Sequence, residues 1–578
     1  MVTETLSTQV EAKTANNVPG SSGFEETMPE ALKTACRENP HLFNYIKTLP
    51  ISEMGMPEYA PELTRKYGEN KQPNVIYPVN RNNVFIHILF DKDDIRNRYI
   101  PIEPLTNGLE KLMKEVELKL LGLRQKLPHI DPEQNKEAQL LHVLDMVTSV
   151  NDQHKPGIVE STIGLLKKSG VAAPKLKVST QELNAMKYLF IRDKIGMGVM
   201  DPLIVDPFIE DISCSGMGNI FIEHKIFKSL KSTIIFSNFE ELDEFVLWLS
   251  ERVKKSVNYK RPIADATLPD GSRINIVYGS DVSKRGSNFS IRKFNETPLS
   301  IFEIAEFGTI SYQMLAYLSL AIGYGMNVFV SGETASGKTT LLNALTTFIP
   351  PLSKVLTLED TPELQVPHKN WVREVVQTTR SDDTSGAVSM FDLLKAALRQ
   401  RPDEILVGEI RGNEGNIAFQ AMQTGHSVMA TFHAASVEKL IQRITGDPIL
   451  VPKNYVDNLN VVILTSQVKL PNGRTGRRVT SIAEIVNYDP VLDSFSFVES
   501  FKWDQEKDIF EFTGYMTSYV LEYKIAPKLG IPDHKKKQIY NEVERRAHIL
   551  NKLHKERKVT GFYEVLAVLS KAQREGLF

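Results

Sequence analysis

Cysteine is almost missing from this chain: its 578 residues include two, Cys36 and Cys214. Two cannot build a disulfide framework or a cysteine-based zinc site, and a reducing compartment fits. Net charge is almost missing too, since 69 Lys plus Arg face 71 Asp plus Glu. No global field therefore draws the chain towards nucleic acid or lipid. Apolar runs stay at strand or buried-helix size, short of the roughly 20 residues that a membrane span needs. No basic n-region followed by an apolar h-region opens the sequence, so no secretory signal is expected and any membrane role is expected to be peripheral. Internal repeats are lacking as well.

What remains is ordinary globular composition, 42% hydrophobic and 24% charged, on a chain too long for one core. Pattern divides it into four stretches. Residues 1–27 lack periodicity and read as a disordered tail. Residues 28–178 read as a mixed and helical region, with strands expected at 74–78 and 83–90. Amphipathic helices are expected there over 108–127 and within 129–156, and helical hairpin character continues to 174. Residues 179–296 read as an α+β domain, with a helix at 181–196, a hairpin at 220–236 and a helix at 238–254. Residues 297–578 form an α/β block with strands near Val328, Val355, Ile405 and Val428, followed by closing helices. Strands alternating with helices predict a parallel sheet with its ligand at the carboxyl ends of the strands. In the closing helices, Ile539, Val543, Leu550 and Leu553 form a narrow apolar seam.

The stretch NVFVSGETASGKTT at 327–340 organises the block. Val328, Phe329 and Val330 read as a buried strand. Gly332, Glu333, Thr334, Ala335, Ser336, Gly337, Lys338 and Thr339 then fit the phosphate-loop pattern G-x-x-x-x-G-K-[ST], with Thr340 entering the helix. Such a loop needs glycine because backbone N–H groups converge on phosphate only where no Cβ intervenes. The helix that follows points its positive end at the same place. Lys338 is placed to reach the β- and γ-phosphates, and the Thr339 hydroxyl to meet Mg²⁺.

Three further segments narrow the chemistry. VLTLEDTPEL at 355–364 ends an apolar strand on Glu359 and Asp360, where a carboxylate can orient or deprotonate an attacking water. Standing alone, it reads better as a solvated acidic turn. PDEILVGEIRG at 402–412 sets Glu409 beyond a strand, where many phosphate-loop proteins have an Asp. Without a metal or a cationic partner a buried carboxylate there is costly, and Arg411 is the candidate partner. GHSVMATFHAAS at 425–436 brackets a strand with His426 and His433. Seven residues of extended chain set them roughly 20 Å apart, which excludes shared metal ligation, so a nucleotide-sensing role is expected instead.

In this order and spacing, over about residues 186–484, the four segments resemble the Walker A, Asp box, Walker B and His box of the secretion-motor ATPases. That superfamily powers type II and type IV secretion, type IV pili and the archaeal archaellum. The segments at 198–216 and 268–294 also resemble the preceding domain of its archaeal branch. The resemblance implies a RecA-like parallel-sheet ATPase domain preceded by a smaller α+β domain. It further implies ATP and Mg²⁺, a homo-hexameric ring, a polytopic membrane platform protein and a regulatory nucleotide-binding partner. The implied location is cytoplasmic, peripheral to the inner face of the cell membrane. By the same resemblance Glu359 polarises the attacking water, Thr339 and Glu409 hold Mg²⁺ partly through water, and His426 with His433 forms the His box. Arg273 and Arg292 match arginines that the preceding domain supplies to a catalytic site, often across a subunit boundary. Strand-edge ion pairs account for these two equally well. The four-cysteine zinc insertion of many bacterial members is ruled out by the cysteine count, so no zinc is expected.

Two other classes stay open at this level. A nucleic-acid translocase would need basic inward loops, against which the charge balance weighs. A regulatory nucleotide-binding module would not turn over, yet both candidate carboxylates are present.

Overall fold

The computed structural model describes residues 28–79, 83–106, 108–122, 135–151, 175–294, 297–376, 388–471, 473 and 475–578. The expected tail, the end of the 108–127 helix and most of the helical hairpin running to 174 lie outside the described residues. The chain divides into two compact units, Met1–Phe294 and Asn295–Phe578.

In the first unit the strands are β1 (Glu58–Tyr59), β2 (Asn74–Val79), β3 (Val84–Leu89), β4 (Asn97–Ile102), β5 (Thr148–Val150), β6 (Leu176–Val178), β7 (Ile209–Cys214), β8 (Gly218–His224), β9 (Lys228–Phe236), β10 (Ile263–Thr267), β11 (Arg273–Val277) and β12 (Asn288–Arg292). Ten of them form one sheet in the order β1-β2-β3-β4-β9-β8-β7-β12-β11-β10. Residues 28–178 and 179–296 thus share a sheet, joined where β4 pairs in parallel with β9. A buried polar knot reinforces this seam. Tyr77 and Tyr99 donate to Asp206 Oδ2 at 2.6 and 2.8 Å, and His224 lies 3.2 Å from the Tyr77 hydroxyl. Every member of such a knot needs a partner, because an orphaned buried polar group costs roughly 1–3 kcal/mol. The helix Thr180–Lys194 starts at a capping box of Ser179 and Glu182, and Asn238 caps Phe239–Arg252.

The second unit holds β13 (Val328–Gly332), β14 (Val355–Glu359), β15 (Trp371–Val375), β16 (Glu404–Val407), β17 (Ser427–Phe432), β18 (Val461–Lys469), β19 (Thr475–Asp489), β20 (Ser494–Asp504) and β21 (Ile509–Glu511). Their order is β15-β14-β16-β17-β13-β18-β19-β20-β21. From β15 to β18 every neighbour is parallel, and β19 to β21 continue the sheet antiparallel. This is the parallel α/β sheet that alternating strand and helix patterns predict. Strands covered on both faces are mainly apolar, and the central ones here follow this, with Ser331, Thr357, Glu404 and Thr431 as buried polar exceptions. Val328 and Val330 enter one core layer with Leu341 and Leu345, while Phe329 enters the other with Phe419 and Phe432. Each fully buried side chain of this size contributes about 1.5–3 kcal/mol.

The closing helix Ile539–Lys555 buries Ile539, Val543 and Leu550, three members of the expected seam. Glu484 on β19 locks this end of the unit. Its buried carboxyl accepts from the hydroxyls of Tyr317, Ser500 and Ser518 at 2.8, 2.6 and 2.6 Å and from Val520 N at 2.9 Å. Among the described residues no helix is long and apolar enough to cross a membrane.

Candidate nucleotide site

Parallel strands all deliver their carboxyl ends to one edge of a sheet, and four neighbours here carry the candidate groups. Taken across the sheet as β14, β16, β17 and β13, they end in Glu359, Glu409, His433 and the Gly332–Lys338 loop. Chain order is different, since β13 comes first in sequence.

The loop leaves β13 and enters the helix Lys338–Leu345 at Gly337, whose φ of +90° is disfavoured for any residue with a Cβ. Lys338 is 9% exposed. Its Nζ donates to Gly332 O at 3.0 Å and Glu333 O at 2.8 Å, and lies 3.4 Å from His433 Nδ1. Burial lowers the Lys338 pKa, opposed by the charge of Glu409.

His433, one residue past β17, also places Nε2 at 3.1 Å from Glu409 Oε1. An ammonium has nothing to accept with and a carboxylate nothing to donate, so these neighbours select one tautomer. Nε2–H donates to Glu409, and Nδ1 accepts from Lys338. Burial and then Lys338 push the His433 pKa down, with Glu409 pulling the other way. The ring therefore favours its neutral form.

Glu409 is held on its second oxygen by Arg411, whose Nη2 donates at 2.6 Å. Burial alone would raise the Glu409 pKa, but the Arg411 hydrogen bond and charge, with His433 and Lys338, bring it below its ordinary value. Arg411 is thus the cationic partner that this carboxylate requires.

Glu359, at the end of β14, is 1% exposed. Oε1 accepts from Glu363 N at 2.7 Å and Leu364 N at 2.6 Å. Oε2 makes no hydrogen bond among the described residues and has Arg373 at 3.6 Å. Burial dominates and pushes the carboxyl up to about 7, against the two backbone donors and Arg373. A carboxyl tuned there is suited to taking a proton at neutral pH. Room for it comes from Gly408, because a Cβ at that position would stand 3.2 Å from Glu359 Cγ. The Gly408-Glu409 pair, unusual against an Asp in sequence, thus seats one carboxylate and carries the next.

His426 precedes β17, at the edge opposite the loop, and its Nδ1 is 3.1 Å from Thr424 Oγ1. The six-residue strand β17 separates the two rings, in line with the distance expected from the sequence, and of the two only His433 stands at the loop edge. Arg273 and Arg292 are cross-strand partners on β11 and β12 of the first unit. Arg292 Nε contacts Asp211 Oδ1 at 3.2 Å. Thr339 is half-buried in the first turn of the loop helix, and Glu333, Thr334, Ala335 and Thr340 are exposed.

Sequence reasoning missed Arg373, Thr465 and Arg477. Thr465 meets Ser336 with their hydroxyl oxygens 3.0 Å apart, and Arg477 Nε donates to Ala335 O at 3.0 Å. No local pattern marks them, since each reaches the site from another strand.

The donor set fits a phosphate chain with a hard cation. Lys338 supplies a buried ammonium at a helix start, and the Thr339 hydroxyl and Glu409 carboxylate are the oxygen ligands that Mg²⁺ prefers.

Residues 194–467 match the family described as type II/IV secretion system protein. An uncharacterized protein of Methanocaldococcus jannaschii is 42% identical over 95% of this chain and 98% of its own length. The type IV secretion system protein VirB11 of Bartonella quintana is 31% identical over 36% of this chain and 67% of its own length. Among solved structures, the VirB11 ATPase of the Brucella suis type IV secretion system, crystallised with sulphate, is 25% identical. The match covers 48% of this chain and 89% of that one, at a TM-score of 0.26.

Proposed function

The chain belongs to the type II/IV secretion system protein family, and from that membership we propose that it is a Mg²⁺-dependent ATPase of motor type. The reading rests above all on one observation: Lys338 and Glu409 are joined through the His433 ring, at the sheet edge where Glu359 titrates near 7. Lys338 and the loop amides bind the phosphates. Thr339 and Glu409 hold Mg²⁺, which supplies positive charge against the charge that develops on the γ-phosphoryl group. Glu359 orients the attacking water and takes its proton, and the neutral His433 reports phosphate occupancy between Lys338 and Glu409. Arg273 and Arg292, of the same or a neighbouring subunit, stabilise the transferring group.

The working assembly is a homo-hexameric ring at the cytoplasmic membrane face. Nucleotide binding closes the two units of each subunit, and hydrolysis reopens them. The work passes to a polytopic membrane platform protein and drives archaellum, pilus or secretion machinery of archaeal type.

The test is release of inorganic phosphate from ATP by the full chain with Mg²⁺, beside Lys338→Ala. Wild-type turnover with loss of nucleotide affinity in the variant is expected. Undiminished ATP binding by Lys338→Ala would overturn the loop assignment, and absence of phosphate release under every assembly condition would end the motor reading.

A further inference from the structure

The carboxyl-edge series does not stop at the phosphate loop. On the side of β13 away from His433 stand β18 and then β19. Gly332 pairs with Thr465 on β18, and Gln467 pairs with Arg477 on β19. The β18–β19 register shifts between Leu464 and Thr465, and bulges of this kind re-aim the side chains beside them.

Three consecutive loop residues meet this pair of strands. Ala335 has a φ of +63°, a conformation that its β-carbon disfavours, and its carbonyl accepts from Arg477 Nε at 3.0 Å. The Ser336 hydroxyl meets Thr465 Oγ1 at 3.0 Å. At Gly337 a Cβ would lie 3.2 Å from Arg477 Cδ, so the arginine stem covers the face that glycine leaves bare. The neighbouring arginine does a different task. Arg478 is buried, pairs with Asp508 through Nε and Nη2 at 2.7 Å each, and donates to Phe307 O at 3.1 Å.

We propose that Arg477 is a positioning residue for the nucleotide: its stem and guanidinium hold residues 335–337 in the conformation that converges the loop amides on the phosphates. The inference rests on the loop being a nucleotide site. It assigns to β19 a part in binding that the loop motif does not contain. Because Arg477 acts through the loop on bound and reacting nucleotide alike, its loss weakens binding more than it slows the chemical step.

The experiment compares the full-length chain with Arg477→Met, which keeps a stem over Gly337 but no donor, and with Arg477→Lys, which restores a donor and charge. Binding of a fluorescent N-methylanthraniloyl ATP, KM, kcat and thermal midpoint are measured for each. Arg477→Met is expected to raise Kd and KM by about tenfold. Its kcat should fall by less than its KM rises, its midpoint should stay unchanged, and Arg477→Lys should recover most of the binding. Wild-type affinity in Arg477→Met overturns the inference. So does a fall in kcat and midpoint with KM unmoved, which marks a merely structural side chain. If the wild-type chain itself binds no nucleotide, the site reading fails and the inference with it, whereas wild-type binding beside an unaffected Arg477→Met defeats the inference alone.

Discussion

His433 Nε2 lies 3.1 Å from Glu409 Oε1, just past the ends of neighbouring strands β17 and β16, and the same ring reaches Lys338 through Nδ1 at 3.4 Å. One neutral imidazole thus joins the loop lysine to the strand-end carboxylate. His433→Ala is expected to cut kcat about tenfold or more, since it removes a donor from Glu409 and an acceptor from Lys338. His426→Ala should leave nucleotide affinity within about twofold, its ring being bonded to Thr424 at the other end of β17. Equal effects of the two substitutions on kcat would contradict this division.

Glu359 provides the pH dependence. Its carboxyl sits at about 7, and only the ionised form takes a proton from water. The kcat/KM profile should therefore rise through pH 7 and level off above it. Glu359→Gln should keep ATP binding, reduce turnover by about a hundredfold or more, and flatten that limb. Near-normal turnover in the variant would remove Glu359 from the proton-accepting role.

The same raised carboxyl makes a stability statement. The folded value of about 7 exceeds the ordinary 4.5, so the fold disfavours the charged form. Below 4.5 the group is protonated folded or unfolded and carries no penalty. Stability is lost as pH rises through the interval, and above 7 the whole penalty is present. It amounts to on the order of 3 kcal/mol. Glu359→Gln keeps an oxygen for the amides of Glu363 and Leu364 without the charge, so its midpoint should exceed wild type at pH 8 and approach it near pH 4. A difference that does not grow with pH would refute the burial account.

Gly408 should tolerate little. The Cβ of Gly408→Ala would stand 3.2 Å from Glu359 Cγ, so that side chain must give by a few tenths of an ångström. A cost of about 1–3 kcal/mol in stability is expected, with turnover falling about tenfold and ATP affinity preserved. Unchanged turnover would show that Glu359 has slack.

Arg273 and Arg292 face each other across β11 and β12. Two like charges directly opposite do not stabilise a sheet. If both serve a nucleotide, Arg273→Ala should leave the thermal midpoint near wild type while lowering ATP turnover of the assembled protein by about a hundredfold or more. In rings mixed from Arg273→Ala subunits and subunits disabled at Lys338, recovered turnover would place the arginine across a subunit boundary, and its absence would place it in the same chain. A variant that loses stability but not turnover would reduce the arginines to strand-edge ion pairs.

Much of this molecule was legible one segment at a time. The apolar runs at Val328, Val355, Ile405 and Val428 announced buried strands because a strand covered on both faces has no polar side to show. The loop at 332–339 announced itself through glycine, lysine and threonine at fixed spacing, since amide convergence on phosphate is a local requirement. Glu359 and Glu409 could be read as strand-end carboxylates for the same reason, and Arg411 could be named as partner because it lies two residues from Glu409. Which strand lies beside which is not local. The crossovers set β13 between β17 and β18, far in sequence from both, and that order alone puts His433 against Lys338 and Thr465 against Ser336. It also leaves His426 at the far edge, seats Glu359 over Gly408 and brings Arg477 to Ala335. Side-chain period tells which face of an element is covered, but pairing across a parallel sheet is chosen by the packing of whole helices. The sequence by itself therefore determined the chemical groups, and the tertiary structure decided which of them meet.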